Sequence, residues 1–416
     1  MYRKKLFFVW IFLFCSIASA QDRLKIAFYN LFEYPEYLPM NRAPILKNIL
    51  TDINPDLFMV CELLTEEGAD EILNKALNYD SDRNFARAPF LPNQSSDSSL
   101  QQLLYYDSNI WKLLSTEAIV TGYRDINKYK LQLLTEDTAD PIYVYAFVAH
   151  LKSSPGRANR LIRLEMMETL TAHLHYIEPE AYVLFSGDFN LYSSDEEAYQ
   201  ELVKEENNIV FKDPIHTFGD WHKNEDFTYL HTQSTRVSNR GFSTGAGGGM
   251  DDRFDFIMLS ENLLEDNPNL QYVSDSYTAY GNNGNCFRKN INDPSCSGEF
   301  SQEIRDRLYL MSDHLPVTLE LETNRALHTQ TIATTLPAPR IIPNPVANNL
   351  IIYLPESSSK TSSKIEIYNT LGMPVLKKDL MSTGTELSIP VEHLASGIYF
   401  LRLAEYPQHT LKFIKR

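Results

Sequence analysis

Short apolar runs of strand length recur from residue 24 to residue 322, and runs with helical spacing separate several of them. The strand-like runs are residues 25–31, 56–63, 103–106, 142–151, 182–185, 254–259 and 317–321. Helical patterns cover residues 42–51, 66–78, 159–177 and 195–204. When strands and helices alternate in this way, their apolar faces are buried by packing helices against sheets. The sequence therefore predicts an α/β domain.

The pattern changes beyond residue 322. Residues 323–340 are enriched in Thr, Ala and Pro without periodicity, which is typical of a linker. Only strand patterns follow, at residues 349–354, 364–369, 373–378, 386–390 and 397–403. We therefore expect two folded units, a large α/β domain over residues 21–322 and a small all-β sandwich over residues 341–416.

The N-terminus has the pattern of a secretory signal peptide over residues 1–20. Three basic residues, at positions 3–5, precede an apolar run over residues 6–15, and Ala18-Ser19-Ala20 is typical of a cleavage site. The apolar run is shorter than the roughly 20 residues that span a bilayer. We therefore expect export and no stable transmembrane segment.

The exported chain is acidic. Cleavage after Ala20 removes three basic residues and no acid, which leaves 35 Lys and Arg against 54 Asp and Glu, a formal net charge of −19. Proteins that bind nucleic acid by neutralising phosphates are usually basic. A polyanionic substrate would therefore have to be bound locally, by a metal ion and a few Arg or Lys side chains.

Three cysteines remain after cleavage. Cys286 and Cys296 flank a short polar segment, and in an oxidising compartment this favours a disulfide. Cys61 lies within an apolar run and is expected to be an inert core thiol. No CxxC spacing indicates a zinc site.

Polar residues of catalytic type stand at the ends of the predicted strands, where side chains are held rigidly beside loops. Each of these residues taken alone has a structural explanation. Asn30 is typical of a turn, His150 is typical of a structural histidine, and an Asp-His pair is typical of a capped turn. Asp188 and Asn190, at i and i+2 after a buried strand, are more specific. The complete set is Asn30, Glu62, His150, Ser186-Gly187-Asp188-Phe189-Asn190, Asp255 and Ser312-Asp313-His314.

In order and residue type this set resembles the endonuclease/exonuclease/phosphatase superfamily, which includes deoxyribonucleases, sphingomyelinases and inositol-polyphosphate phosphatases. The resemblance covers residues 22–322 and implies a four-layer α/β sandwich with two mixed β-sheets packed face to face. His150 matches the deoxyribonuclease and phosphatase branches and not the abasic-site branch, which has tyrosine there. The carboxylate that partners the histidine in some nucleases has no clear match here.

The resemblance also implies roles for these residues. Glu62 would be the principal metal ligand, with Asn30 and Asp313 near the metal. Asp188 would orient or deprotonate the attacking water beside Asn190, which would bind phosphate. Asp255 would hold His314 by accepting a hydrogen bond from its ring, and His150 would contact or protonate the phosphoryl group.

Chemistry supports a metal-dependent phosphoesterase independently of the family. Because phosphodiester oxygens are negative, hydrolysis requires charge neutralisation, a positioned water and a proton for the leaving oxygen. Carboxylate and amide oxygens suit Mg²⁺ or Mn²⁺, while the scarcity of Cys and of paired His argues against zinc. A histidine with a carboxylate partner supplies proton transfer near neutral pH.

Two arginines are candidate contacts for substrate phosphate. Residues 232–236 combine hydroxyl groups with Arg236, and a guanidinium suits phosphate oxygens. Arg160 lies in a second basic stretch, after His150. A solvated surface face is the alternative explanation for most of these basic residues.

The C-terminal unit resembles the type A sorting domain of the type IX secretion system. The resemblance covers residues 341–416 and depends on Ile341-Ile342-Pro343-Asn344-Pro345, Leu371-Gly372-Met373 and Leu394-Ala395-Ser396-Gly397-Ile398-Tyr399. It implies interaction with the secretion machinery and delivery across the outer membrane of a Gram-negative bacterium. A generic carbohydrate-binding sandwich is the alternative.

The leading hypothesis is a secreted or surface-attached, Mg²⁺- or Mn²⁺-dependent endonuclease that acts as a monomer. A phosphatase or sphingomyelinase-like diesterase is the alternative within catalysis, and the acidic charge favours it, whereas export favours a polymeric substrate. A non-catalytic surface binding protein is the alternative from another class.

Overall fold

The computed structural model describes residues 22–37, 39–79, 81–95, 98–242, 244–328, 339–354, 362–381, 386–403 and 410–416. The signal peptide expected at residues 1–20 lies outside the described residues, as does the middle of the expected linker, residues 329–338. The chain divides into two compact units, Met1–Thr329 and Gln330–Arg416.

Apolar stretches of strand length form two sheets in the first unit. Its strands are β1 (Asp22–Tyr34), β2 (Leu57–Leu63), β3 (Phe85–Arg87), β4 (Gln101–Asp107), β5 (Trp111–Ile119), β6 (Ile126–Leu133), β7 (Ile142–His150), β8 (Tyr182–Asp188), β9 (Phe211–Lys212), β10 (Asp255–Ser260), β11 (Gln271–Tyr272), β12 (Thr278–Ala279) and β13 (Val317–Thr323). The first sheet has the order β11-β13-β1-β2-β4-β3, with β12 also on β13. The second has the order β5-β6-β7-β8-β10-β9.

Both sheets are mixed. In the first, β1 and β2 are parallel and the other pairs are antiparallel. In the second, β7 and β8 are parallel and the other pairs are antiparallel. The two parallel pairs matter for function, because the carboxyl ends of parallel strands lie at one edge of a sheet.

Helices cover the outer faces. They are α1 (Ala43–Ile53), α2 (Glu66–Glu71, continued by a π-helical turn, Ile72–Leu77), α3 (Arg157–Leu174), α4 (Glu197–Leu202) and α5 (Gln302–Met311), with 3₁₀ turns at Glu225–Leu230 and Glu261–Leu263. Helix α1 begins at a Pro in its first turn and ends at Asn54, whose φ of 52° terminates it in the left-handed conformation.

The hydrophobic core lies in three interfaces. One continuous cluster joins α1 to the first sheet and the first sheet to the inner face of the second. A second cluster packs α3 and α4 on the outer face of the second sheet, with Met166 and Leu170 against Phe147 and Phe185. This arrangement confirms the predicted four-layer sandwich with two mixed sheets.

Residues 324–328 remain attached to the first unit. Leu327 pairs with Thr135, and the amide of His328 donates to the carbonyl of Leu134 over 2.8 Å. Arg325 forms an ion pair with Asp137 at 2.7 Å. The N-terminal end of the expected linker is therefore ordered on the large unit.

The second unit contains only strands among its described residues. They are β14 (Arg340–Ile341), β15 (Asn349–Tyr353), β16 (Ser362–Tyr368), β17 (Pro374–Met381), β18 (Glu386–Pro390), β19 (Gly397–Leu403) and β20 (Thr410–Lys415). A three-stranded sheet, β14-β15-β18, and a four-stranded sheet, β17-β16-β19-β20, bury a shared core that includes Ile352, Ile367, Leu401 and Phe413. The predicted small all-β unit is confirmed.

Candidate active site

The first part of the site lies where β1 and β2 end. These strands are parallel, and Asn30 pairs with Cys61, the residue before Glu62. The register shifts at this point in both the β1–β2 and β2–β4 pairings, and Glu62 has a φ of 56°. Bulges often turn side chains toward active sites, and a left-handed non-glycine residue costs about 1–3 kcal/mol. The local backbone therefore directs Asn30 and Glu62 to the same edge.

The second part is a row of three residues across the second sheet. Asp188 pairs with His150 on β7 and with Asp255 on β10. Directly paired residues point to the same face, so these three side chains lie side by side. Gly187 makes this close approach possible, because a Cβ there would lie 2.3 Å from the carbonyl oxygen of Ala149.

A tight turn follows Asp188. Asn190 has a φ of 51°, and its backbone amide donates to Asp188 Oδ1 over 3.1 Å. Its side-chain amide lies 3.4 Å from the carbonyl oxygen of Leu151, just after His150. The i and i+2 spacing noted in the sequence therefore corresponds to an Asx-type turn that keeps both polar side chains at the site.

The third part is the segment after α5. The Ser312 hydroxyl donates to the carbonyl of Asn30 over 2.7 Å and accepts from the amide of His314 over 3.1 Å. His314 Nδ1 donates to Asp255 Oδ2 over 2.8 Å. These contacts join the end of β1, the start of β13 and the start of β10, and they fix the ring of His314.

The side chains from both sheets converge on one small volume. The Asn30 side-chain NH₂ donates to Glu62 Oε1 at 3.0 Å and to Asp188 Oδ2 at 3.1 Å. His150 Nε2 lies 3.5 Å from Asp188 Oδ2 and 3.8 Å from Glu62 Oε1. His314 Nε2 lies 3.7 Å from Asp188 Oδ2. The structure thus brings five of the residues singled out in the sequence into direct contact.

Three of these residues could hold a metal ion. Ligand atoms of Glu62, Asp188 and His314 all lie within 4.8 Å of one another. Two carboxylates form most of this group, which suits a hard divalent cation. Asn30 faces the carboxylates with its NH₂, while its oxygen accepts from the amide of Phe32 at 3.0 Å. In this arrangement the Asn30 NH₂ donates to both carboxylates, and the place of Asn30 near the metal stays a prediction.

The electrostatics of the two carboxylates also fit a cation. Burial raises the pKa of Glu62, and the negative charge of Asp313 raises it further. Burial raises the pKa of Asp188 to about 8, with additional contributions from the charges of Asp255 and Glu62. Neighbouring buried carboxylates cannot all ionise without a compensating positive charge. A divalent cation would supply that charge.

The two histidines have opposite properties. Burial lowers the pKa of His150 well below its usual value, and the positive charge of Arg124 lowers it further. Burial also lowers the pKa of His314, but the carboxylates of Asp255 and Asp188 outweigh it and hold the pKa well above its usual value. These surroundings therefore favour the neutral form of His150 and the protonated form of His314.

Asp313 and Arg236 lie beside this cluster. Asp313 Oδ2 accepts from the amide of Ala246 over 2.6 Å, which ties the glycine-rich segment 245–249 to the site. Arg236 is buried, donates through Nε to the carbonyl of Tyr309 and stacks 3.4 Å from the ring centroid of Phe242. Its two terminal nitrogens have no protein partner among the described residues.

Arg160 is not brought into the cluster. It lies on α3, and its guanidinium is bound to Glu197 at 2.8 Å on the exposed surface. Such an exposed pair contributes little to stability.

Three supporting residues were not recognised in the sequence. The Gln233 side-chain amide lies 2.6 Å from His314 Nε2. Arg42 donates to four backbone carbonyls, among them those of Leu31 and Met311, and so joins the Asn30 and His314 segments. Arg124 binds the carbonyls of His150 and Leu151. Arg42 and Arg124 act through long-range contacts with backbone carbonyls, and Gln233 acts through a long-range contact with the His314 ring. A single sequence carries no signal for such contacts.

The predicted disulfide is present. Cys286 and Cys296 are bonded, and Cys61 is a buried free thiol. No helix among the described residues is long and apolar enough to cross a lipid bilayer.

Comparison with known proteins identifies the second unit. Residues 340–416 match the secretion system C-terminal sorting domain family. The sorting domain thus coincides with the all-β unit and with the resemblance found in the sequence. No curated protein matches the chain.

The chain is similar to several solved structures. A TDP2 from D. rerio complexed with a single-strand DNA product has 16% identity, covers 72% of this chain and 99% of its own, and gives a TM-score of 0.46. An endonuclease/exonuclease/phosphatase from Bacteroides vulgatus has 14% identity, covers 73% of this chain and 99% of its own, and gives a TM-score of 0.46. A mannosyl-6-phosphatase from Bacteroides thetaiotaomicron has 14% identity, covers 72% of this chain and 99% of its own, and gives a TM-score of 0.44.

Proposed function

We propose that this protein is an exported, divalent-metal-dependent phosphodiesterase that hydrolyses nucleic acid outside the cell. The observation that carries the proposal is the convergence of Glu62, Asp188 and His314 within 4.8 Å, beside His150 and the Asp255–His314 hydrogen bond. This group combines oxygen ligands, a neutral histidine and a cationic histidine, which are the elements that phosphoester hydrolysis requires.

Glu62 and Asp188 would hold Mg²⁺ or Mn²⁺, with the charge of Asp313 nearby and the amide of Asn30 fixing both carboxylates. A bound divalent cation would neutralise the oxygens of the scissile phosphate. Two carboxylates and no cysteine in the group suit these hard cations better than zinc.

The protein side chains would divide the proton transfers. Asp188, which is ionised once the cation compensates its charge, would orient the attacking water and accept its proton. His314, held as a cation by Asp255, donates a proton to the leaving oxygen when the P–O bond breaks. His150 is neutral and donates a hydrogen bond to a phosphoryl oxygen, and Asn190 binds another.

Arg236 is proposed as a further phosphate contact, because a buried guanidinium with two unpartnered nitrogens requires an anionic or polar partner. Arg160 has no role in this proposal, since Glu197 already binds it. A phosphatase or lipid diesterase is the second candidate, and the net charge of −19 after signal cleavage favours it.

For export, we propose a signal peptide at residues 1–20, a catalytic domain at 21–322, a linker at 323–340 and a sorting domain at 341–416. The sorting-domain match supports interaction with a type IX secretion machinery and a final location at the cell surface or outside the cell. We propose that the released enzyme is a monomer, which sedimentation would test.

The function is tested by incubating the purified protein with plasmid DNA, RNA, sphingomyelin and inositol phosphates. Each substrate is assayed with Mg²⁺ or Mn²⁺ and with a chelator. We expect metal-dependent cleavage of nucleic acid and a loss of at least about 100-fold in Glu62→Gln, because metal-site substitutions act on this scale or above it. Glu66→Gln, on the exposed surface of α2, is the matched control. Cleavage by Glu62→Gln at the parent rate would refute the metal assignment.

A further inference from the structure

A second histidine–carboxylate pair lies outside the cluster described above. His222 Nδ1 is hydrogen-bonded to Asp252 Oδ1. The His222 side chain is 32% exposed and the Asp252 side chain 14%. The carboxylate fixes the ring, and Nε2 of His222 has no partner among the described residues. The pair therefore presents one oriented ring nitrogen to solvent.

The pairing of Gln233 locates this pair relative to the catalytic cluster. Gln233 forms an antiparallel bridge with Asp252 on one side and with His314 on the other. Side chains of directly paired residues point to the same face, and that of Gln233 contacts His314 Nε2. Since adjacent strands are about 5 Å apart, the backbones of Asp252 and His314 are about 10 Å apart on that face.

Tyr192 connects the pair to the catalytic turn. It follows Asn190 by two residues, and its ring packs edge-on against His222 with centroids 4.9 Å apart. Its carbonyl accepts from the amide of His222 at 3.3 Å. Burial raises the pKa of Tyr192 to about 12, and the charges of both Asp252 and Asp188 contribute. The tyrosine is thus within electrostatic reach of both the pair and the catalytic carboxylate.

The surroundings of the pair include two exposed cations. Lys223 follows His222 directly, and Arg288 lies 3.6 Å from Asp251, beside Asp252. Because His222 Nδ1 donates to the Asp252 carboxylate, Nε2 can donate a hydrogen bond to a phosphate oxygen in the doubly protonated ring. Because Arg288 is paired with Asp251, Lys223 is the neighbouring cation that remains to attract a phosphate toward the oriented ring.

We infer that the His222–Asp252 pair binds a backbone phosphate next to the scissile one, so that the enzyme prefers polynucleotides to esters with a single phosphate. This inference rests on the proposed function. The alternative is that the pair only anchors the loop at residues 220–223. The two differ in what they predict for substrates with one phosphate and with several.

The test compares His222→Gln with the parent full-length protein on two substrates, a labelled DNA 12-mer and bis(p-nitrophenyl) phosphate. We expect the KM for the 12-mer to rise about tenfold more than the KM for the small diester, the size expected for one lost charge-assisted contact. Asp252→Asn, which releases the ring without removing it, should show the same trend and provides a second variant. His175→Gln, exposed at the end of α3, is the matched control.

Equal KM changes on both substrates, or no change on either, would overturn the inference. If the parent cleaved the small diester but not DNA or RNA, the proposed nucleic-acid function would fail and the inference with it. If the parent cleaved DNA in a Glu62-dependent manner while His222→Gln and Asp252→Asn kept its KM, only the inference would fail.

Discussion

His314 Nδ1 donates a 2.8 Å hydrogen bond to Asp255 Oδ2, and this contact joins two segments separated by 59 residues. Asp255 is fully buried and accepts this hydrogen bond from His314 Nδ1, while Asp188, on the neighbouring strand, lies 3.7 Å from His314 Nε2. The contact determines which ring nitrogen of His314 faces the catalytic cluster, and it stabilises the charged form of the ring.

Asp255→Asn removes that charge while preserving the size of the side chain. We expect kcat to fall by about 10²–10⁴-fold, the usual contribution of a positioned acid or base, with a small change in KM. Steady-state kinetics on the best nucleic-acid substrate measure this. Asp56→Asn, at the opposite end of β2 and paired with Arg83, is a control that should lower stability and retain kcat. If Asp255→Asn and Asp56→Asn had the same kcat, the assignment of Asp255 as the residue that positions His314 would be contradicted.

Above about pH 6.5, where His150 no longer titrates, the metal-free protein should lose stability as the pH rises. The pKa of His314 is raised above its usual value of 6.5, so its stabilising effect is complete below about pH 6.5 and is lost as pH rises through the folded-state pKa. The pKa of Asp188 is raised from 3.8 to about 8, so its effect is lost between those values. Added Mn²⁺ replaces the proton on Asp188 and should therefore raise the Tm more at pH 8.5 than at pH 6.

Thermal melting in chelator and in Mn²⁺, over pH 5 to 9, measures this difference. Asp188→Asn should flatten the pH dependence of the metal-free protein, because the amide does not titrate. A metal-induced rise in Tm that is larger at pH 6 than at pH 8.5 would count against the proposed ligands.

Gly187→Ala should disrupt the row formed by His150, Asp188 and Asp255. Its Cβ would lie 2.3 Å from the carbonyl oxygen of Ala149, which is backbone and cannot move independently of β7. We expect a loss of at least about 1–3 kcal/mol in the free energy of unfolding, together with lower activity. Urea denaturation measures the first effect. Gly122→Ala is the control, because the atoms nearest to its Cβ would belong to the Glu165 side chain, which can turn away. A similar loss of unfolding free energy in Gly122→Ala would refute this explanation.

Ser312→Ala should affect activity beyond its effect on stability. The hydroxyl links the Asn30 carbonyl to the His314 amide, so its loss leaves buried groups unsatisfied at a cost of about 1–3 kcal/mol and releases His314. Ser260→Ala provides a matched control, because that buried hydroxyl also makes two hydrogen bonds, to Val183 and Asn262, away from the site. We expect the two variants to lose comparable free energy of unfolding. Only Ser312→Ala should also lose kcat. Equal kcat in the two variants would show that Ser312 is only structural.

Local patterns in the sequence were sufficient for the strands that carry the site. The apolar runs before Asn30, Glu62 and Asp188 are strongly biased to strand, and these strands lie where they were expected. The hairpin of β5 and β6 and helix α5 were not predicted. Much of β5 is exposed, so it lacks the alternating burial on which a strand prediction depends. Helix α5 does bury Ile304, Leu308 and Met311 at helical spacing, and the prediction missed this pattern.

The sequence alone determined which residues have catalytic chemistry, because residue type and position after a strand are local properties. Tertiary structure decided their relations: Asp188 between His150 and Asp255, Asn30 donating to two carboxylates, and Gln233 on His314. It also decided the charge of each histidine, since burial and neighbouring carboxylates set the pKa and both arise only when distant segments pack together.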